Sequence, residues 1–354
     1  LLQIALQSNA LARGIKPRGN KKENAMKPFH SSTHKLLAFA LISASLPILS
    51  GCAAHSASEK YYLVSANIKL PYWQAAEAGF GQAASEEGVK GQMVGPNTYD
   101  TQDEVTEFRA AVAQKPAGIL VSVADPKLMG PEIDSAIAAG IPVITVDSDA
   151  PDSKRLFFIG TNNLQAGRLG GQELVKLLNG HGNVVFFTMP GQSNLDERLK
   201  GYMDVLGNHT GIRMVDTIDI RGDSRVAFDK TSEYVNKTGA DKIDAFVCLE
   251  ASSGKDVAEA IKRANTSRII LAMDTDDETL KLVQDGTIAA TISQKPWTMA
   301  YVGLQRLADI ELLKNKHLGQ DFASDPKSPY PAFIDTGTAL VDKSNVSNFM
   351  KQGQ

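Results

Sequence analysis

The sequence predicts an α/β protein built from two doubly wound parallel-sheet lobes, and three observations lead there. From Tyr61 onward, short apolar runs rich in β-branched and aromatic residues alternate with stretches of helical periodicity, the pattern of βαβ units feeding a parallel sheet. After a first set of strand-like segments the alternation starts again near Asn183. Each half also carries the same local device: PVITVDSD at 142–149 and RIILAMDTD at 268–276 are apolar strands ending in a doubled acidic turn. A chain of 354 residues, 43% hydrophobic and 22% charged, is large enough to bury two such cores.

The elements follow in order. In the first half, strands are predicted over Tyr61–Ile68, Gln92–Gly95, Gly118–Val123, Pro142–Val146 and Leu156–Gly160. Helices are predicted over Tyr72–Glu87, over Thr101–Gln114 with Val105, Phe108 and Val112 on one face, and over Pro131–Ala139, stopped by Gly140 and Pro142. In the second half, strands are predicted over Asn183–Thr188, Met214–Ile220, Ala245–Leu249, Arg268–Met273 and Ala289–Ser293, with helices near 163–179, 195–206, 224–237, 253–265 and 277–285. Ligands of doubly wound sheets gather outside the carboxyl ends of the strands. Two such sheets facing one another therefore aim both acidic strand ends into one cleft. Capping the next helix is the competing role for an Asp in such a turn; it is assigned to Asp149 and Asp276, and ligand contact to Asp147 and Asp274.

Several function classes are excluded. A net charge of -3, from 37 Lys and Arg against 40 Asp and Glu, gives no basic footprint for nucleic acid. Two cysteines, Cys52 and Cys248, make neither a disulfide scaffold nor a zinc site, and Cys248 reads as a small buried core residue. No Gly-x-Ser-x-Gly elbow occurs, SGKD at 253–256 lacks the flanks of a phosphate loop, and GHG at 180–182 lacks the third glycine of a dinucleotide turn. The six histidines form no metal or triad pattern. No enzyme activity, cofactor or metal is expected.

The amino-terminal region supplies an address. Lys27 and Lys35 follow Met26 and precede the apolar run Leu36–Leu49, which is of signal-peptide length and too short to span a membrane comfortably. The run ends in LSGC at 49–52, which resembles a bacterial lipobox, so Cys52 is expected to be the first mature residue and to carry a diacylglyceryl anchor. A plain secretory signal or a buried helix is the competing reading. Residues 1–25 are expected to be upstream translation, 26–51 the signal and 52–59 a linker, which places the protein in the cell envelope with the membrane touched through the lipid alone.

Polar planar side chains and aromatics at strand ends suit a carbohydrate, because a sugar hydroxyl both donates and accepts while aromatic faces cover the C–H surface of the ring. Six segments carry a specific resemblance: LPYW at 70–73, ITVD at 144–147, DERLKGY at 196–202, FVCLE at 246–250, AMD at 272–274 and AATISQ at 289–294. Together, across nearly all of the mature length, they resemble the periplasmic sugar-binding proteins of ABC transporters, the ribose-binding-protein-like cluster of the type I periplasmic-binding-protein fold. The resemblance implies that Tyr72 and Trp73 stack on a sugar and that Asp147, Arg198, Glu250, Asp274 and Gln294 hydrogen-bond it. A surface Arg198 paired with Glu197 or Asp196 is the competing reading at that position. Departures are Leu70 and Ser148, where the family has Asn and often Arg, and Glu250 in place of Asn or Asp; Asn67 is a substitute candidate for the polar group that Leu70 does not supply.

The resemblance further implies a discontinuous N-lobe of 60–161 plus 295–325, a C-lobe of 162–294 plus 331–354, and a multi-strand hinge between them. The expected ligand is a monosaccharide or polyol, the client an ABC permease or alternatively a chemoreceptor or sensor kinase, and the protein a monomer. Three cleft carboxylates against one guanidinium predict a neutral or cationic ligand over an anion, with Glu250 either leaving room for an amino group or turning out to pair with Lys255.

Overall fold

The computed structural model describes residues 55–313, 322 and 325–350; the expected signal sequence and the anchor at Cys52 lie outside the described residues. Two six-stranded sheets organise the chain. The first contains β1 (Lys60–Val64), β2 (Lys90–Val94), β3 (Gly118–Val121), β4 (Val143–Val146), β5 (Phe158–Gly160) and β11 (Phe333–Asp335), in spatial order β2-β1-β3-β4-β5-β11. The second contains β6 (Gly182–Thr188), β7 (Ile212–Asp219), β8 (Ala245–Cys248), β9 (Ile269–Met273), β10 (Ala290–Ser293) and β12 (Ala339–Asp342), in the matching order β7-β6-β8-β9-β10-β12. Every pairing is parallel except β10 with β12. The central strands β3, β4, β8 and β10 are buried along their whole length, which is why they read as continuous apolar runs rather than alternating ones.

Helices cover the sheets. In the first lobe these are α1 (Pro71–Glu87), α2 (Thr101–Ala113), α3 (Pro126–Ala138) and α9 (Pro296–Leu313). The second lobe carries α4 (Asn163–Leu177), α5 (Ser193–Leu206), α6 (Ser224–Tyr234), α7 (Ser253–Arg263) and α8 (Asp277–Asp285). The first core gathers Phe80, Phe108, Leu120, Met129 and Leu304 around its strands; the second lobe packs Phe187, Phe246, Val257 and Val283 on one side of its sheet and Phe186, Leu174 and Leu195 in a further cluster. α1 and α9 cross closely at Gly79, where an added Cβ would lie 2.1 Å from the Trp297 carbonyl oxygen.

Two expectations are corrected. α3 starts five residues before Pro131, because the Asp125 carboxylate accepts the N–H groups of Lys127 and Leu128 at 2.8 and 3.3 Å and Pro126 occupies the first turn, where no N–H is needed. The carboxyl-terminal segment does not belong to the second lobe throughout: β11 pairs with β5 in the first sheet, and the chain then crosses to β12 in the second. Within the described residues the chain thus passes between the lobes three times, at 161–162, 294–295 and 336–338. The crossings are tied together: Thr336 donates its N–H to the Gly160 carbonyl at 2.9 Å, Thr338 Oγ1 donates to the Ser293 carbonyl at 2.7 Å, and Thr161 Oγ1 donates to Gln294 Oε1 at 2.9 Å.

Candidate functional site

β4 and β9 end alike. Asp147 and Asp274 are both left-handed, with φ of 63° and 71°. Each donates its N–H to the neighbouring strand, Asp147 to the Ile159 carbonyl at 3.0 Å and Asp274 to the Ile292 carbonyl at 2.8 Å. Left-handed backbone costs a residue with a Cβ about 1–2 kcal/mol, least for Asp and Asn. The strand partner holds the conformation, and the turn directs each carboxylate out of its sheet. Both are buried, at 6% and 7% exposure, and both line one cavity of about 80 Å³. At 10–15 Å³ per water that is room for about six waters, the scale of one small ring rather than an oligosaccharide.

Asp147 is held from both lobes. Tyr72 Oη donates to its Oδ1 at 2.6 Å, and Asn194 Nδ2, on α5 of the other lobe, donates to its Oδ2 at 3.1 Å. Asp274 accepts from Gln294 Nε2 at 3.0 Å. Gln294 Oε1 in turn accepts from Arg198 Nη2 at 2.7 Å, and Arg198 also donates from Nε to Asn163 Oδ1 at 2.8 Å and from Nη1 to the Leu249 carbonyl at 2.7 Å. Arg198 is 3% exposed, so its reading as a surface arginine paired with Glu197 or Asp196 does not hold. Tyr72, Trp73, Asp147, Arg198, Glu250, Asp274 and Gln294 all line the same cavity.

Residues 61–316 match the periplasmic binding protein domain. The chain belongs to the periplasmic binding protein family. It is 26% identical over 298 residues to the xylose/arabinose-binding protein XylF of Sulfolobus acidocaldarius, an alignment covering 79% of this chain and 70% of that protein. It is 23% identical to the ribose import binding protein RbsB of Haemophilus influenzae, over 75% of this chain and 90% of the relative. Among solved structures it resembles AraP, an arabinose binding protein from Geobacillus stearothermophilus, with a TM-score of 0.66 and 33% identity over 83% of this chain and 99% of AraP.

In this periplasmic binding protein the side chains around the cavity have further partners within the protein. Tyr72 is tied by its hydroxyl to Asp147 and meets Trp73 edge to face, ring centroids 5.2 Å apart. Glu250 borders the cavity, yet its oxygens accept the Ser252 N–H and Oγ, both at 2.6 Å, the Ser253 N–H at 2.7 Å and the Ser253 hydroxyl. It closes the first turn of α7 and leaves no pairing with Lys255, which stands 3.5 Å from Glu278 instead. Asp276 does cap α8, accepting from the Glu278 and Thr279 N–H groups, whereas Asp149 caps no helix and pairs with Arg155, Nη2 to Oδ2 at 2.6 Å. Asn67 and Leu70 both border the cavity.

The sequence reading missed Asn194, Ser122, Tyr99 and Gln192, which also line the cavity. Asn194 had a signal: it precedes Arg198 by four residues, one helical turn on the same face. Gln192 Oε1 is buried with no hydrogen-bond partner among the described residues. Burial, opposed by Arg198 and Gln294 and reinforced by the charges of Asp147 and Glu250, pushes the Asp274 carboxyl up to about 7. Asp147 is raised as well, burial outweighing Arg198, Tyr72 and Ser122. Among the described residues no group of three or more His, Cys, Asp or Glu could hold a metal ion, and no helix is long and apolar enough to cross a membrane.

Proposed function

We propose that this protein captures one neutral monosaccharide or small polyol between its lobes and delivers it to an ABC permease, making and breaking no covalent bond. The observation that carries this reading is the pair of left-handed aspartates, Asp147 and Asp274, which the two sheets bring to one small buried cavity with Arg198 acting on both. Hydroxyls match this lining because each can donate to a carboxylate and accept from an amide or guanidinium. A small molecule touched by both lobes favours the shut state, which is the signal a permease reads. A carboxyl at about 7 is half neutral at physiological pH, which favours a neutral ligand over a cationic one. With Asp147 and Glu250 still opposite a single guanidinium, sugar acids and phosphates meet repulsion. Anchoring through a diacylglyceryl group on Cys52 is part of the same proposal, supported by the LSGC segment at 49–52.

Calorimetry with arabinose, xylose and ribose, the sugars named for the relatives, is the test. At least one is expected to bind at a single site, and Asp147→Ala and Asp274→Ala are each expected to weaken it by about 1–3 kcal/mol. No binding of any neutral sugar, or tighter binding of a sugar phosphate than of every neutral sugar, overturns the reading.

A further inference from the structure

Tyr99 and Gly222 come from opposite lobes, and neither sits in a regular element: Tyr99 lies in the loop from β2 to α2 and Gly222 in the loop from β7 to α6. Both line the cavity. A Cβ added to Gly222 would stand 2.4 Å from Tyr99 Cβ and 2.5 Å from its Cγ and Cδ1, so the tyrosine rests on bare backbone where no other residue type fits. Neither residue belongs to the three crossing segments, so the contact exists only because the lobes have come together. Hydrogen bonds also cross the cleft: Ser193 Oγ accepts from the Asp149 N–H and Asn194 donates to Asp147, exchanges that water can replace when the lobes part. Water cannot replace a ring seated on backbone.

We propose that Tyr99 and Gly222 form a closure latch, in which the tyrosine seats on the glycine as the lobes shut and the missing side chain at 222 sets how far they can close. The inference rests on the reading that a ligand is held between the lobes. It makes Tyr99 a specificity-determining wall of the cavity, and it makes ligand affinity depend on a residue with no side chain. Affinity scales with the fraction of protein able to reach the shut state, so a side chain at 222 weakens binding without touching the hydrogen-bonding groups.

The test is a double-mutant cycle read by arabinose, xylose and ribose titration. Gly222→Ala is expected to weaken binding at least tenfold and to speed release, and Tyr99→Ala placed in that background is expected to recover most of the affinity. The positive φ of Gly222, 74°, also strains an alanine, but that strain lowers the melting temperature of the unliganded protein equally whether residue 99 is Tyr or Ala. Unchanged affinity in Gly222→Ala, or effects that simply add in the double variant, overturns the latch. A second arm needs no ligand: small-angle scattering of the unliganded protein is expected to show Gly222→Ala more open than the parent, and Tyr99→Ala placed in that background is expected to restore the parent profile. Identical profiles for the parent and Gly222→Ala also overturn the latch. If no sugar binds while these shifts are seen, the sugar reading fails and the latch stands.

Discussion

Asp274 shows what one side chain contributes when its backbone, its burial and its charge are considered together. Its left-handed turn aims it at the cavity, Gln294 donates to it, and burial lifts its carboxyl from 3.8 to about 7. An acid whose folded value is raised binds more protons folded than unfolded, so its contribution to stability is fullest below 3.8 and is lost as pH rises towards 7. Ligand binding runs the other way, because hydroxyl donors favour the carboxylate. Sugar affinity is therefore expected to rise from pH 6 to pH 8 with proton release on binding near pH 7, and calorimetry in buffers of different ionisation enthalpy measures both. Asp274→Asn is expected to flatten the profile; a parent profile already flat across that range refutes the assignment. Glu104 on α2 follows the same sign for folding. Its Oε2 accepts the Ala124 N–H at 3.1 Å, its Oε1 is buried without a hydrogen-bond partner among the described residues, and burial pushes it from 4.5 up to about 8. Stability from this group is lost between those values as pH rises, so Glu104→Gln is expected to stabilise the protein at pH 8.5 by roughly 3–5 kcal/mol and to change little at pH 4.5. Urea denaturation at the two pH values checks it.

At the level of elements, helix starts do much of the positioning. α5 carries Asn194 and Arg198 one turn apart, so a single helix face supplies both the bridge to Asp147 and the guanidinium that reaches Gln294. α7 is different, because its Ncap residue Ser252 makes no capping bond of its own and Glu250 supplies the acceptors from two residues further back. Capping of this kind is worth about 0.5–2 kcal/mol. Glu250→Ala is accordingly expected to destabilise the protein by about that amount in thermal or chemical denaturation. Its effect on sugar affinity is expected to be smaller than that of Asp274→Ala. An affinity decrease equal to that of Asp274→Ala, with no change in stability, would return Glu250 to the role of a ligand contact.

For the whole molecule, two sheets of matching strand order carry two equivalent strand ends to one cavity, and hydrogen bonds tie together the segments that cross between them. The proposed delivery to a permease would need the protein held near the membrane, so the proposed anchor at Cys52 is tested on the whole chain. Cys52→Ser in the full precursor, expressed in a bacterial host, is expected to move the protein from the membrane fraction to the soluble one, because several acyl chains hold firmly where none are present in the variant. Equal partitioning of parent and variant on fractionation rules out the lipid.

The strands and most helices were legible in the sequence because burial on both faces leaves continuous apolar runs, and because caps and stops are written within a few residues of each helix end. Asp147 and Asp274 were legible for the same local reason, each closing an apolar strand with an acidic turn. The sequence by itself therefore determined the α/β class, the two-lobe repeat and part of the cavity lining, Tyr72, Trp73, Asp147, Arg198, Glu250, Asp274 and Gln294, but not Tyr99, Ser122, Gln192 or Asn194. Only the tertiary structure decided what those residues do to one another. Tyr72 and Asp147 are 75 positions apart and Asn194 and Asp147 are 47 apart, so their hydrogen bonds follow from the approach of elements and not from any spacing. The same holds for β11, a short and partly exposed strand whose sheet is chosen by the free edge of β5. It holds as well for Gly222, which reads as an ordinary turn glycine until Tyr99 of the other lobe is seen resting on it. Periodicity records how a segment meets its own core; which side chain of a distant segment fills the space left over depends on how two independently packed lobes come together.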